Sequence, residues 1–169
     1  MIMKVKENII MDKEDIQRTI NRIAHQIYEN NINEKNLIVT GIVKNGLTLA
    51  NRIIIELNRI GCLNVQLIEI IINKKNPRNK VLMTKNLDFC EGKSVAIVDD
   101  VLNTGSTLIY AVNYFLQIPV KQIDTAVMVN RNHKKFPVKA NFKGISLSTS
   151  LNDHVKVILD GKESGIYLS

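Results

Sequence analysis

Apolar runs of strand length alternate with amphipathic segments of helix length along most of this chain. Runs such as "LIVTGIV" and "VQLIEIII" are apolar throughout, which is typical of strands buried on both faces of a sheet. Ile16, Ile20, Ile23 and Ile27 recur at helical spacing and predict one apolar helix face, for which Asp12 is a candidate N-cap. The predicted elements are helix 12–31, strand 36–42, helix 46–59, strand 64–72, polar loop 73–80, a short extended pair within 81–90, strand 93–99, helix 104–117, strand 121–129 and basic loop 130–140.

This alternation predicts a three-layer α/β fold, with a mainly parallel sheet flanked by helices. The 169 residues fit a single domain over 1–169 with a substantial core. Ligands of such sheets bind beyond the carboxyl ends of the strands. Three segments that directly follow predicted strands are therefore expected at one rim of the sheet: residues 41–46, 99–107 and 130–133.

The composition narrows the class of protein. No apolar run is long enough to span a bilayer, and two cysteines are too few for a disulfide framework or a zinc site. We therefore expect a cytoplasmic protein with no membrane partner. The net charge of +7 and the pI near 9.4 suit anionic partners such as phosphates, nucleotides or RNA. A lysine-rich surface without such a partner would give the same balance.

The segment "VAIVDDVLNTGST", residues 95–107, carries the most chemical information. Its last residues open a predicted helix, where unpaired N–H groups and the helix dipole favour a phosphate, and Gly105 permits close approach. Asp99 and Asp100 precede this turn, and their carboxylates suit the vicinal hydroxyls of a ribose. Together they predict a site for a ribose 5-phosphate. Acidic residues before a helix are also common as caps, so this simpler interpretation stays open for the pair alone.

The full segment resembles the phosphoribosyl pyrophosphate (PRPP) signature of type I phosphoribosyltransferases. Three further segments resemble the family of bifunctional pyrimidine-operon attenuators and uracil phosphoribosyltransferases. They are "INRIAHQIYENN", "VTGIVKNGLTLANRI" and "AVMVNRNHKKFPVKANFKGISLSTS". The resemblance implies a type I phosphoribosyltransferase fold with a small hood, and a homodimer or larger homo-oligomer. It also implies Mg²⁺-dependent transfer of ribose 5-phosphate from PRPP to uracil, which yields UMP and pyrophosphate.

Roles for individual residues follow from the same resemblance. Asp99 and Asp100 would hold the ribose hydroxyls, and Mg²⁺ would bind through PRPP and these two carboxylates. Arg131 would lie near the pyrophosphate and the base. The 5-phosphate would be bound by Thr104, Gly105, Ser106 and Thr107. The pyrophosphate would face Val43, Lys44, Asn45 and Gly46. The base would be enclosed by a hood around Phe136, Pro137 and Val138, together with residues 148–150.

Three departures from the family pattern bear on the activity. The pyrophosphate loop of the family is G-[IV]-K-T-R-G, whereas this chain has "GIVKNG", so Asn45 replaces an arginine that would bind phosphate in a bidentate manner. Asn130 stands where the family has an aspartate, and the loop within 72–86 is shorter. These changes leave two alternatives open: a regulator that binds PRPP or a nucleotide but catalyses poorly, and a purine phosphoribosyltransferase of the same superfamily.

The attenuator family also binds messenger RNA through a basic face. In this chain the candidate RNA-binding residues are Arg18, Arg22 and His25 on the first helix and His133, Lys134 and Lys139 in the later basic loop. An amphipathic helix also commonly has basic residues on its solvent-exposed face, opposite its apolar stripe, without binding any partner there. RNA is therefore one of two interpretations of this face.

Overall fold

The structure is a computed structural model that describes residues 8–169. The first seven residues of the predicted single domain lie outside the described residues, and the single domain stays a prediction. The elements are β1 (Asn8–Met11), α1 (Lys13–Asn30), β2 (Asn36–Ile42), α2 (Asn45–Ile60), β3 (Asn64–Ile71), β4 (Leu82–Met83), a 3₁₀ turn (Leu87–Cys90), β5 (Ser94–Leu102), α3 (Ser106–Phe115), β6 (Gln122–Arg131), β7 (Phe142–Leu147), β8 (Val155–Ile158) and β9 (Gly165–Leu168).

A six-stranded sheet in the order β4-β3-β2-β5-β6-β7 forms the centre of the molecule. Strands β3, β2, β5, β6 and β7 run parallel, and only the two-residue edge strand β4 is antiparallel. The continuous apolar runs form the inner strands because helices cover both faces of the sheet. The predicted parallel sheet is confirmed.

The helices lie in two layers on opposite faces of this sheet. Isoleucines of α1 and apolar residues of α2, such as Leu49 and Ile53, form one core with Val39 and Val98. On the other face, Leu108, Ala111 and Phe115 of α3 form a second core with Ile97 and Val127. The predicted three-layer α/β architecture is therefore confirmed.

Helix α1 follows the predicted pattern closely. All four isoleucines of the predicted stripe are fully buried. The helix begins with a capping box, in which the Asp15 N–H donates to the Asp12 carboxylate at 2.8 Å and the Asp12 N–H donates to the Asp15 carboxylate at 3.2 Å. This reciprocal pair fixes where the helix begins.

A second, smaller sheet joins the two ends of the described chain in the antiparallel order β1-β9-β8. It lies beside the start of α2, where the Asn45 side chain donates to the Val157 carbonyl oxygen at 3.2 Å and the Arg52 guanidinium donates to the Leu159 carbonyl oxygen at 2.7 Å. Strand β1 was not predicted. Four residues are too few to carry a clear periodicity, and the strand is stabilised by pairing with β9 at the far end of the sequence.

Other differences concern the boundaries of elements. Of the extended pair predicted within 81–90, the structure has only the short strand β4. The second predicted strand was wrong, because Leu87–Cys90 form a 3₁₀ turn. Strands β5 and β6 extend to Leu102 and Arg131, beyond their predicted ends, so the two aspartates lie within β5. Within residues 8–169, no helix combines the length and the apolar character needed to cross a bilayer.

Candidate functional site

The carboxyl ends of β2, β5 and β6 lie side by side at one edge of the large sheet. Gly41 of β2 pairs with Val98 of β5, and Leu102 of β5 pairs with Asn130 of β6. The segments that follow these strands therefore meet at one rim, as the alternation of elements predicted. The rim contains a cavity of 290 Å³, and its lining includes Lys74, Asp99 and the whole bend from Asn103 to Thr107.

The bend between β5 and α3 depends on Gly105. Its φ of +84° lies in the left-handed region that favours glycine. A Cβ atom at this position would lie 2.7 Å from Val138 Cγ1, which is closer than packed carbon atoms approach. Helix α3 begins at the next residue, so its first N–H groups lie at the cavity. This geometry suits a bound phosphate.

The segment after β6 packs against this bend. The N–H groups of Lys135 and Phe136 donate to the Thr104 carbonyl oxygen at 2.8 and 3.2 Å. Phe136 is 37% exposed and lines a shallow groove with Tyr110 and Asn113 of α3. The expected hood residues Phe136, Pro137 and Val138 thus lie next to the bend, and their contact with a base stays a prediction.

Asp99 lines the cavity and forms a carboxylate pair with the adjacent, partly buried Asp100. Asp99 is 3% exposed, and its Oδ1 accepts a hydrogen bond from the Asp100 N–H at 3.0 Å. Lys74, from the loop after β3, places its Nζ 3.0 Å from Asp99 Oδ1 and 3.4 Å from Asp100 Oδ1. The Asn45 side chain donates to Asp100 Oδ2 at 2.8 Å. The pair is therefore held by a cation and an amide donor from two other segments.

Burial and charge act differently on the three ionisable groups. Burial raises the pKa of Asp99 to about 7, against the opposing charge of Lys74. Burial also raises the pKa of Asp100, but the Lys74 charge and the Asn45 hydrogen bond outweigh it, so the net pKa is lowered. Burial lowers the pKa of Lys74, yet the two carboxylates raise it above its usual value overall. Around neutral pH, Asp99 is the member of the site that changes its charge.

Asp99 is expected to make stability depend on pH. Between about pH 4 and pH 7, the folded protein holds a proton on Asp99 that the unfolded chain releases. The contribution of this proton to the free energy of unfolding is therefore complete below about pH 4 and is lost as pH rises through about 7. Asp99→Asn removes the titration. The free energy of unfolding of Asp99→Asn minus that of the wild type should increase by roughly 1–3 kcal/mol from pH 5 to pH 8. Urea unfolding at both pH values measures this, and a difference independent of pH would contradict it.

The expected pyrophosphate loop approaches the acid pair from β2. The Val43–Lys44 peptide bond is cis, Lys44 is exposed, and α2 begins at Asn45. Helix α2 begins very close to β5. A Cβ atom on Gly46 would lie only 2.7 Å from the Val98 carbonyl oxygen, so a larger residue would not fit there. The sequence predicts that Asn45 costs this loop a bidentate phosphate partner. In the structure its amide positions Asp100 and bridges it to the small sheet.

Arg131 is the last residue of β6 and is 6% exposed. Its guanidinium donates to Thr149 Oγ1 at 2.8 and 3.0 Å, to the Ser150 carbonyl oxygen at 3.1 Å and to the Asp153 carbonyl oxygen at 3.0 Å. The side chain therefore anchors the segment after β7, which contains part of the expected hood. Its expected place near pyrophosphate and base stays a prediction.

Asn130, the residue before Arg131, is also buried. Its amide donates to Ser146 Oγ at 3.2 Å, and its Oδ1 has no hydrogen-bond partner among the described residues. Within residues 8–169 there is no group of three or more His, Cys, Asp or Glu side chains arranged to hold a metal ion. A cation at this rim would therefore need oxygen ligands from a bound substrate in addition to the two carboxylates.

The candidate RNA-binding residues occupy two regions. On α1, Arg18 pairs with Asp15 and Glu14, while Arg22 donates to the carbonyl oxygens of Lys143 and Gly144 at the edge strand β7. His25 is exposed, with its Nδ1 2.8 Å from the carbonyl oxygen of Asn21. In the loop after β6, Lys134 and Lys139 are exposed and His133 is half-buried. Across the part of the chain that is described, no hydrogen bond or ion pair joins the two regions.

Two contacts were missed by sequence reasoning, and both involve the acid pair. Lys74 lies in a polar loop with several cations, and nothing in that loop distinguishes it from its neighbours. The bond from Asn45 to Asp100 joins residues 55 positions apart. Both contacts depend on how the loops fold over the sheet, which a local pattern does not reveal.

Comparisons with known proteins agree with this arrangement. A family model described as phosphoribosyl transferase domain matches residues 8–160. The chain is 32% identical over 159 residues to a protein named Bifunctional protein PyrR from Haemophilus ducreyi, which covers 89% of each chain. It is 34% identical over 179 residues to the protein of the same name from Fusobacterium nucleatum, which covers 98% of this chain and 100% of the relative.

Solved structures of similar fold include two purine enzymes. The hypoxanthine phosphoribosyltransferase of Trypanosoma cruzi has a TM-score of 0.80 with 19% identity, covering 96% of this chain and 95% of that one. A hypoxanthine-guanine phosphoribosyltransferase from Bacillus anthracis has a TM-score of 0.72 with 20% identity, covering 86% and 85%. At such identities the likeness concerns the fold alone. The predicted type I phosphoribosyltransferase fold is confirmed.

Proposed function

Because this chain belongs to the phosphoribosyl transferase domain family and is similar to the PyrR proteins, we propose that it transfers ribose 5-phosphate from PRPP to a pyrimidine base. Uracil is the base proposed, with UMP and pyrophosphate as products. One observation carries the proposal: the buried Asp99 and the bend at Gly105 line one cavity, and Lys74, which lines it too, joins Asp99 to the partly buried Asp100. A ribose and its 5-phosphate require these two chemical features side by side.

The bend would bind the 5-phosphate. Thr104, Gly105, Ser106 and Thr107 line the cavity, and their hydroxyls and the N–H groups at the start of α3 would act as donors. The carboxylates of Asp99 and Asp100 would accept hydrogen bonds from the two ribose hydroxyls. A hydrogen bond to a charged group contributes about 1.5–3 kcal/mol, so the pair would supply much of the selectivity for a ribose.

The remaining groups would act at the anomeric carbon. A nitrogen of the base forms a bond to this carbon while the bond to the pyrophosphate oxygen breaks, and the proton of that N–H is lost to the departing pyrophosphate or to water. Positive charge therefore develops on the sugar and negative charge on the leaving group. Lys44 of the loop 43–46 is exposed at the same rim and would face the pyrophosphate. Catalysis would then consist of positioning and electrostatic stabilisation, with no side-chain nucleophile.

Mg²⁺ is the cofactor proposed for this reaction. Two carboxylates that already face an ammonium at 3.0 and 3.4 Å have the oxygen chemistry and charge that a hard cation requires. Asp99 and Asp100 would hold the ion together with oxygens of PRPP. When bound, it would neutralise the charge of the pyrophosphate. Location in the cytoplasm and assembly into a homodimer or larger homo-oligomer remain predictions of the sequence.

Pyrophosphate release from PRPP and Mg²⁺ in the presence of single bases tests the proposed function. The panel consists of uracil, cytosine, hypoxanthine, guanine and adenine, and a sample without base measures background hydrolysis. We expect release with uracil and formation of UMP. Release with hypoxanthine or guanine alone would favour the purine alternative. Absence of release with every base, together with measurable PRPP binding, would favour the regulatory alternative.

RNA binding is the second function that we propose, because Lys134, Lys139 and His25 leave exposed basic groups on two surfaces. Contacts to phosphates would make the affinity fall linearly with salt on a log–log scale. Removing Lys134 and Lys139 together should reduce this slope and leave pyrophosphate release unchanged. A slope that the double substitution does not change would exclude the loop after β6 as the RNA surface.

A further inference from the structure

Segment 73–80, between β3 and β4, is joined to the rest of the molecule through Lys74. Within the segment, Asn73 accepts hydrogen bonds from the N–H groups of Lys75 and Asn76, and Asn76 bonds to Asn79. Among the described residues, the contacts of Lys74 with Asp99 and Asp100 are the only hydrogen bonds or ion pairs that join this segment to another part of the chain. Residues 77–80 share a groove with Tyr110 and Tyr114 of α3, so Lys74 is the polar anchor of the segment and not its sole constraint.

The acid pair needs this cation when no ligand is bound. Asp99 is almost completely buried, and its neighbour in the chain carries a second carboxylate. A buried charge without a partner is strongly destabilising, and two carboxylates in one site repel each other. The Lys74 ammonium supplies the compensating charge to both, although the lysine side chain itself is 44% exposed. It can therefore leave the pair without breaking any packed core.

The ammonium occupies the place that a sugar would need. Lys74 and Asp99 line the same cavity as the bend at Gly105. The oxygens that Lys74 contacts, Asp99 Oδ1 and Asp100 Oδ1, are acceptors that ribose hydroxyls would use under the proposed function. Both partners cannot bind these oxygens in the same geometry.

We propose that Lys74 is a tethered competitor of the ligand at the acid pair, and that ligand binding displaces it and releases segment 73–80 from the sheet edge. This inference rests on the proposed function, because it takes the ligand to be a ribose phosphate. The affinity of the wild type is then reduced by the fraction of molecules in which Lys74 occupies the pair. Removing the ammonium should therefore strengthen ligand binding, the opposite of what removal of a substrate-binding lysine does.

Calorimetric titration with ribose 5-phosphate and Mg²⁺ at pH 8 tests the competition. Lys74→Met should bind at least about tenfold more tightly than the wild type, which corresponds to 1.4 kcal/mol. Lys75→Met is the matched control, since it removes a charge from the adjacent, exposed position, and its affinity should equal that of the wild type. Lys74→Arg keeps the charge and should stay close to the wild type. Equal or weaker binding by Lys74→Met would overturn the proposal.

Limited trypsin digestion of the wild type gives a readout that needs no substitution. Lys75 and Arg78 are cleavage sites within segment 73–80. Ribose 5-phosphate should accelerate cleavage there, and Lys74→Met should be cleaved faster than the wild type without ligand, despite having lost one site. Protection of the segment by the ligand would contradict the release.

The two proposals fail in different ways. If no base releases pyrophosphate from PRPP, and the wild type and all three variants bind no ribose 5-phosphate, the proposed function is wrong and the competition with it. If the wild type binds the sugar phosphate but Lys74→Met binds it equally or less well, only the competition is wrong.

Discussion

Asp100→Asn is expected to reduce both the affinity for ribose 5-phosphate and the rate of pyrophosphate release by about a hundredfold. The substitution removes a charged acceptor beside Asp99 and places an amide where Lys74 and Asn45 now donate. The fold should remain intact, because Asp100 lies at the rim and the cores on both faces of the sheet do not include it. Calorimetry, the pyrophosphate assay and circular dichroism measure the three quantities.

Asp88→Asn is the matched control for this change. Asp88 is an exposed aspartate in the 3₁₀ turn, so its substitution removes the same charge from the surface and should leave binding and turnover unchanged. Full activity of Asp100→Asn would show that the acid pair does not hold the ribose. Equal losses in both variants would mean that net charge and not position is responsible.

Gly105→Ala is expected to abolish phosphate binding at the bend and to destabilise the protein. An L residue at a φ of +84° costs about 1–2 kcal/mol. The added methyl group would also overlap with Val138 Cγ1, which lies 2.7 Å from the Cβ position. Relieving this overlap must move either the bend or the segment after β6, so the N–H groups at the start of α3 would lose their positions. We expect the affinity for ribose 5-phosphate to fall at least about a hundredfold.

Gly161→Ala separates the two causes. Gly161 has a φ of +86°, and no atom lies within 4 Å of its Cβ position, so this variant carries the backbone cost without the overlap. In urea unfolding, Gly105→Ala should lower the free energy of unfolding by at least about 1 kcal/mol more than Gly161→Ala does. Adding Val138→Ala to Gly105→Ala should recover part of the loss of binding. Equal destabilisation by the two glycine substitutions would show that Val138 does not constrain the bend.

The parts of the fold that are repetitive in sequence were predicted well. The isoleucines of α1 and the apolar runs of the inner strands repeat at the spacing of their elements, and burial of those side chains determines the layers. The bend was also predictable, because a glycine between a strand and a helix has few structural roles. The position of the acid pair followed from the direction of parallel strands.

Long-range contacts were not predictable in the same way. The small sheet pairs β1 with β9, and each strand has only four residues, so neither carries a period of its own. The resemblance implies a place for Arg131 near the ligand, which stays a prediction, but the contacts of its guanidinium with the segment 149–153 were not foreseen. The contact of Lys74 with the acid pair depends on the path of a polar loop. In each case the decisive partner lies far away along the chain.

A crystal structure of the protein with ribose 5-phosphate would show whether the acid pair and the bend at Gly105 bind one sugar phosphate together. We expect phosphate density at the N–H groups of the bend at residues 104–107, ribose hydroxyls within hydrogen-bond distance of Asp99 and Asp100, and Lys74 moved away from both carboxylates. Sugar phosphate bound elsewhere, with the bend empty and Lys74 still on the acid pair, would contradict it.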